Sequence, residues 1–462
     1  MDDRELWSRY EAANHYINED LIRRDTPPPS SKREKTRREW MLGFLPRLGD
    51  PQRAFGAVHV AGTSGKGSVC AMVAEILRAA GVRTGLHISP YLQVATEKLW
   101  IDGLLASVEH YEALIEWLRP HAEACRGPEV PMHGMGSVAL FLEHFRREAV
   151  ELGVVEVGVG GGSDLTNVLD TRVAAITNVG ADHLETLGPT LNDVARHKAG
   201  VIKPSCRAVV HASHDGELAL LAARRRAAEV GAPLREVRPE RDYGLLPPAP
   251  NGQTRLWFRS DRLHIDTLTL ACGGDVQAQN AALAIAACEE ADSAGRVDAE
   301  AVCLGLSRAR LAARLERFAP GPKNHCEVVL DGAHNPDKLT ALLGSLGSLG
   351  ASRRLHLVFG GLASKRPGPA VTELVRRAST VTFTEPAVYA KAPRPATELL
   401  AELAIDHAHA SAEPDCAAAV DRALSAAEAE DLVLVTGSIY LVGQARGRWH
   451  PPVTVLRRRS SW

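Results

Sequence analysis

The chain has no Cys-x-x-Cys pair and no cysteine–histidine pair at zinc spacing. Its eight cysteines (Cys70, Cys125, Cys206, Cys272, Cys288, Cys303, Cys326, Cys416) are scattered. That excludes a zinc-ribbon or disulfide framework and fits reduced thiols in a cytoplasmic protein. There is no run of about twenty apolar residues, so no membrane span is expected. The first residues, Met1 to Trp7, lack the basic start and apolar stretch of a secretory signal. Charge of one sign is also missing: 54 basic residues against 56 acidic ones leave −2, with no footprint for nucleic acid or a membrane surface. The one basic run lies within residues 25–39, behind three prolines, and meets no aromatic before Trp40. A solvated loop entering a surface helix is expected there. No internal repeat is present.

What the chain does have is length. At 462 residues it exceeds what one hydrophobic core supports, and two domains are expected, 1–308 and 309–462. The stretch that organises the rest is residues 55–78. An apolar run ends at Gly62, then Thr63, Ser64, Gly65, Lys66, Gly67 and Ser68 follow, and Val69, Met72, Val73, Ile76 and Leu77 recur at helical spacing. Strand, glycine loop and helix N-terminus make an anion cradle, with loop N–H groups and Lys66 facing a phosphate and Ser68 placed for its Mg²⁺. The spelling departs from the strict phosphate-loop pattern: Val60 replaces its first glycine, and Gly67 separates Lys66 from Ser68. An ordinary glycine-rich turn is the bland alternative.

In chain order, residues 1–24 predict a helix with Leu6, Tyr10, Ala13 and Tyr16 on one face. Arg83–Ser89 predicts a short strand stopped by Pro90, and Glu97–Gly103 an extended segment. Helices are expected near 107–125 and 134–151, separated by Gly127-Pro128 and Pro131. Val154–Gly158 reads as a buried strand whose only charge, Glu156, must be paired or metal-bound. Val173–Gly180 predicts another strand that delivers Asp182 and His183 to its C-terminal edge, where ligands of open α/β sheets gather. Thr190 and Asp193 spell a capping box for a helix that carries Lys198 near its end, where exposure is the default. Residues 205–275 give one βα unit and then β-rich segments around 254–258 and 263–270. Val276–Cys288 is an apolar helix whose first turn is polar at Gln277 and Asn280, which points to a polar ligand. From about 310, Glu327–Asp331, Arg354–Phe359, Ser379–Phe383 and Leu432–Thr436 alternate with helical stretches and predict a second, smaller parallel α/β sheet. Two α/β domains with polar strand ends imply a cleft.

Taken together, these stretches resemble the folylpolyglutamate synthase and dihydrofolate synthase family of the Mur-ligase superfamily. The similarity is carried by Val58–Ser68, Ser89-Pro90 with Glu97, Glu156–Gly161 with Asp164–Asn167, and Thr177–Gly188. It continues through Lys198–Lys203, Asp331-Gly-Ala-His-Asn-Pro336 and Thr436–Ser438. The family phosphate loop shares the spelling seen at Val60 and Gly67. The resemblance implies an α/β fold with a P-loop Mur-ligase-type central domain built on a parallel sheet, preceded by a helical segment. A smaller Rossmann-like α/β domain for the amino acid would follow. It also implies an ATP-dependent amide ligase that adds L-glutamate to a folate-type carboxylate through an acyl phosphate. By that likeness Gly62 to Ser68 hold ATP phosphates; Ser68, Ser89, Glu156 and His183 hold Mg²⁺. Lys198 would be a carbamylated metal ligand, and a second Mg²⁺ or a monovalent cation is allowed. Gln277 and Asn280 would meet adenine, Arg314 and Asp331 the nucleotide's phosphate and ribose, and His334 and Lys365 the amino acid or acyl phosphate. Lys66, His183, Lys198, His334 and Lys365 form the implied catalytic set of a cytoplasmic monomer with small-molecule partners and no nucleic acid or membrane. Val276, Met135-Gly136 and Gly162-Ser163 depart from the family's usual residues. A paralogue that joins an amino acid to a non-folate acid therefore stays open.

Overall fold

A computed structural model describes residues 1–21, 36–125, 130, 132–249, 253–271, 274–346, 353–365, 368–388, 391–403 and 408–461. The prolines and basic residues of 25–35, the expected breaks at Gly127-Pro128 and Pro131, and Cys272 lie outside them. The chain divides into two compact units. The first comprises Met1–Tyr91, Ala95–Arg310 and Leu456–Ser461; the second holds Leu92–Val94 and Leu311–Val455. The main division falls at Arg310.

The first unit is built on an eight-stranded sheet. Its strands are β1 (Gly56–Ala61), β2 (Thr84–His87), β3 (Trp100–Ile101), β4 (Leu104–Leu105), β5 (Leu152–Glu156), β6 (Thr171–Ile176), β7 (Arg207–His211) and β8 (Leu234–Val237). The order is β4-β3-β2-β5-β1-β6-β7-β8, parallel from β2 to β8 with an antiparallel β3–β4 edge. β1 is buried at every position, as a strand covered on both faces must be. Alternate residues of β6 and β7 (Ala174, Ile176, Ala208, Val210) pack with Ala199, Ala219, Leu220 and Ala223 of the helices Leu191–Ala199 and Leu218–Val230. Helix Ala299–Arg308 approaches helix Lys66–Ala79 so closely that a Cβ on Gly305 would lie 2.5 Å from the Ile76 Cα. The segments after β8 form a separate antiparallel sheet, β9 (Tyr243–Leu246), β10 (Arg255–Arg259) and β11 (His264–Thr269), packed on the helices Asp275–Ala291 and Ala299–Arg308.

The second unit contains β12 (Glu316–Phe318), β13 (Glu327–Leu330), β14 (Leu355–Phe359), β15 (Ala378–Phe383), β16 (Ala410–Ala412) and β17 (Leu432–Thr436). They lie in the order β12-β13-β17-β14-β15-β16, all parallel except β12. Period-two alternation splits the core. Val329, Leu357, Phe359, Val381 and Leu434 face the helices Pro336–Ser345 and Pro369–Arg377, while Val328, Leu330, Val358, Val433 and Val435 pack with Cys416–Ala426 and Ile439–Arg446. Helices on both faces of a parallel sheet make this a doubly wound unit. Among the described residues no helix is long and apolar enough to cross a membrane.

Several expected bounds shift. The first helix is Asp3–His15 with a wider turn at Tyr16–Asp20, and its four predicted inward residues are buried. The helices near 107–125 and 134–151 run Val108–Glu123 and Met132–Arg147. Glu97 does not open an extended segment: Ala95–Lys98 is a helical turn, because the buried Glu97 carboxylate turns inward to accept from the Ser461 hydroxyl at 2.7 Å. The strand carrying Glu156 begins two residues early, at Leu152, where Gly153 admits the Phe55 and Phe145 rings.

The buried imidazoles couple this core to pH. His59 in β1 bonds Thr166 Oγ1 at 2.8 Å, and burial holds its pKa down to about 3. Between about pH 3 and 6.5 the unfolded chain therefore binds a proton that the folded chain refuses, so stability falls as pH drops through that window. Urea midpoints measured from pH 7 to 4.5 should fall with acid, and His59→Gln should flatten the fall. An unchanged slope in the variant would contradict the assignment.

Candidate active site

Four parallel strands bring their C-terminal ends together: β2 leads to Ser89, β5 ends at Glu156, β1 leads into Gly62–Ser68, and β6 leads into Thr177–Gly180. The β1–β5 register sets Val60 opposite Glu156. Lys66, the first residue of helix Lys66–Ala79, turns back over the loop. Its ammonium donates to the Gly62 carbonyl at 3.1 Å and lies 3.8 Å from Glu156 Oε1. The other carboxylate oxygen of Glu156 accepts the Ser89 N–H at 3.0 Å. The expectation that Glu156 must be paired is met by a cation on one oxygen and a backbone donor on the other.

The loop is held in shape by the strand beside it. Asn178 Oδ1 accepts the N–H groups of Thr63 (3.2 Å) and Ser64 (2.9 Å), and Thr177 Oγ1 donates to the Ser64 carbonyl at 2.6 Å. Thr63 Oγ1 accepts the Gly180 N–H at 2.9 Å. The sequence pointed to the loop but not to this latch; its signal was a polar Thr177-Asn178 pair ending an apolar strand. Two glycines are obligatory. A Cβ on Gly62 would sit 1.8 Å from Thr177 Oγ1, and one on Gly65, whose φ is +80°, would sit 2.5 Å from Asn280 Oδ1. Asn280 thus stands against the loop, with Nδ2 donating to Gln277 Oε1 at 3.1 Å. Ser68 is buried in the first helical turn. The first intrahelical bond runs from the Val69 N–H to the Gly65 carbonyl, so the N–H groups before it have no acceptor within the helix.

Lys198 departs from the default expectation. It is buried, at 4% exposure, because its helix ends against the glycine tract that follows β5. The Gly162 N–H donates to the His197 carbonyl at 2.8 Å, and a Cβ on Gly161 would lie 2.5 Å from that oxygen. Asp164 folds the tract by accepting from Val159 N, Thr166 N and Thr166 Oγ1, while Asn167 Nδ2 joins it to the Gly200 carbonyl at 3.1 Å. His183 has a left-handed backbone (φ +55°), and its partly exposed imidazole lies 3.9 Å from Asp182 Oδ1.

In the second unit, Asp331 follows β13 and accepts from Leu315 N and Ala333 N, each at 2.9 Å. Burial raises its pKa, opposed by the Arg314 guanidinium. Arg314 sits between two residues with positive φ, Ala313 and Leu315, and lies over Gly332, where a Cβ would meet its Nη1 at 2.8 Å. His334 Nδ1 lies 2.8 Å from the Gly332 carbonyl. A carbonyl only accepts, so Nδ1 carries the proton and the Nε2 lone pair faces Lys338 Nζ at 3.4 Å. Burial, then the Lys338 charge, pushes this imidazole well below its ordinary range. His334 and Lys365 line a pocket with Leu362, Gly437 and Arg394. Arg394 went unnoticed in the sequence. Its N–H donates to the Gly361 carbonyl at 2.8 Å, which folds a distant loop onto the end of β14.

The residues present fit a nucleotide with Mg²⁺. The loop has a cradle that a Cβ would fill, the buried Ser64 Oγ has no partner, and Ser68 with Glu156 offers the hard oxygen donors Mg²⁺ takes. Residues 60–288 match the Mur ligase middle domain, and residues 313–439 the Mur ligase glutamate ligase domain. Over 420 residues the chain is 30% identical to folylpolyglutamate synthase of Lacticaseibacillus casei, spanning 88% of this chain and 92% of that one. The chain belongs to the folylpolyglutamate synthase family. Two solved members of that family share its fold. Bifunctional folylpolyglutamate synthase/dihydrofolate synthase from Yersinia pestis, complexed with AMPPNP and a Mn ion, superposes with a TM-score of 0.77 at 26% identity, covering 96% of this chain and 98% of that one. Escherichia coli FolC in complex with DHPP and ADP gives 0.76 at 26% identity, over 93% and 96%.

Gly65→Ala places a side chain against Asn280 and in a left-handed backbone, a strain of about 1–2 kcal/mol before any clash. Calorimetric titration should show an ATP analogue binding at least about tenfold more weakly. Unchanged affinity would contradict the cradle.

Proposed function

We propose that this ATP-dependent acid–amino-acid ligase joins L-glutamate to a folate-type carboxylate. The observation that carries the reading is the Lys66–Glu156 pair under a loop whose glycines admit no side chain, in a chain of this family. In the proposed reaction an acceptor carboxylate oxygen attacks the γ-phosphorus of ATP, and ADP leaves. The amine of glutamate then attacks the acyl phosphate carbon, and phosphate leaves as the amide forms, with loss of a proton.

Each residue's proposed work follows from its chemistry. Lys66 and the N–H groups at the helix start hold the transferring phosphate, where charge develops. Gln277 and Asn280 take adenine; Arg314 and Asp331 take the nucleotide's phosphate and ribose. Ser68, Glu156, Ser89 and His183 hold Mg²⁺, which when bound neutralises charge on the phosphate oxygens. One ion or two, and a monovalent cation, fit this scheme. We further propose that Lys198 is carbamylated by CO₂ with release of a proton. Its burial against the glycine tract that follows β5 supports this placement. Lys365 and Arg394 offer two cations to the carboxylates of glutamate, and the unprotonated Nε2 of His334 can accept a hydrogen bond from the amine. We read the protein as a cytoplasmic monomer acting on small molecules without nucleic acid or membrane, in line with its charge of −2 and seven free cysteines among the described residues.

The deciding experiment is phosphate release with ATP, glutamate and either dihydropteroate or tetrahydrofolate, with product mass measured. A product heavier by one glutamyl residue supports the reading. Turnover only with another carboxylic acid would replace folate by that acceptor. Lys66→Ala should abolish turnover while circular dichroism shows a folded chain; normal turnover would refute the phosphate role. Lys198→Ala should lose activity that short-chain carboxylates partly restore, whereas absence of rescue would count against carbamylation.

A further inference from the structure

In the first unit, two helices bring three metal-ligating side chains together. His110 is the third residue of helix Val108–Glu123 and is fixed by the cap in which its N–H donates to Ser107 Oγ at 3.2 Å. His144 lies on helix Met132–Arg147. Glu148 follows one turn later, just past the end of that helix, with its N–H donating to the His144 carbonyl at 3.0 Å. The i, i+4 spacing puts His144 and Glu148 on one face. Across from them, His110 Nε2 stands 3.0 Å from His144 Nδ1. One ligand atom from each of the three residues lies within 4.8 Å of the others.

We propose that His110, His144 and Glu148 form a binding site for a borderline transition-metal dication, Zn²⁺ in particular.

Three features support it beyond proximity. First, the facing nitrogens are close to the separation that two imidazoles adopt on one ion: bonds of about 2.0–2.1 Å at a tetrahedral angle set them about 3.3 Å apart. Second, His144 is buried, at 4% exposure, with its Nδ1 turned to His110 Nε2. With an ion on Nδ1 the ring proton sits on Nε2. Third, the carboxylate of the set is held in place from outside the cluster. Glu148 is oriented from behind by Arg83, whose Nη2 donates to its Oε2 at 3.0 Å and whose Nε donates to its own carbonyl. Such outer partners fix a ligand's geometry.

The donor set also selects the ion. Two imidazoles and one carboxylate suit Zn²⁺, Ni²⁺ or Cu²⁺ and are poor ligands for Mg²⁺ or Ca²⁺, which prefer an all-oxygen shell. Bound there, the ion would tie the helix Val108–Glu123 to the helix Met132–Arg147.

The test uses the full chain after chelator treatment. Zn²⁺ as zinc chloride is titrated in competition with a chromophoric chelator, and Co²⁺ is added separately to read its d–d spectrum. The wild type should take up one equivalent of Zn²⁺ beyond the uptake of the His110→Gln/His144→Asn double variant, and thermal unfolding should shift upward with Zn²⁺ in the wild type alone. Glu148→Gln should bind at least about tenfold more weakly. His110→Gln, at a half-exposed position, guards against misfolding of the double variant and should lose the same equivalent while keeping its metal-free unfolding temperature. Equal Zn²⁺ uptake by the wild type and His110→Gln would overturn the proposal and leave the two rings as a hydrogen-bonded pair.

Discussion

An ammonium and a carboxylate held 3.8 Å apart at the end of a fully buried strand constrain everything around them. Lys66 and Glu156 each need a partner there, because a charge buried without one is costly. Glu156 needs both Lys66 and the Ser89 N–H, so β2, β5 and β1 must keep one register. The loop must then fold back tightly enough for Lys66 to reach the Gly62 carbonyl, and that requirement forces glycine at Gly62 and Gly65. The same tightness explains why Asn178 and Thr177 spend their side chains on the loop backbone.

A preorganised anion cradle follows from this arrangement. The loop dipoles are fixed before any ligand arrives, so little reorganisation is left for the moment charge moves. The second unit uses the same device with other residues. Asp331 is locked by two backbone donors, and the Gly332 carbonyl fixes the tautomer of His334. Both units place their polar chemistry on short turns at parallel strand ends, where backbone groups leave the sheet without partners.

Much of this was legible in the sequence. Apolar runs ended by Gly62, Glu156, Asp331 and Thr436 announced parallel strands with polar edges, and the Thr190–Asp193 capping box is present as read. What escaped notice depended on long-range packing. Helical position alone made exposure the default for Lys198, which only the family likeness marked, because it does not reveal that a glycine tract 36 positions earlier, at Gly162, covers the helix end. Arg394 sat in a loop with no periodicity, and only its bond to Gly361 brings it to the cavity. Asn178 read as the end of a strand, since nothing local marks a side chain that caps another segment's backbone. His110 and His144 are 34 residues apart, on helices whose facing was not readable from either pattern.

The most direct measurement of the central claim is calorimetric titration of AMPPNP into the wild type and Glu156→Gln, each with and without Mg²⁺. If Glu156 both balances Lys66 and holds the ion, the wild type gains affinity from Mg²⁺ and the variant loses most of that gain while still binding the nucleotide alone. A Glu156→Gln protein that keeps the full Mg²⁺ enhancement would contradict the account.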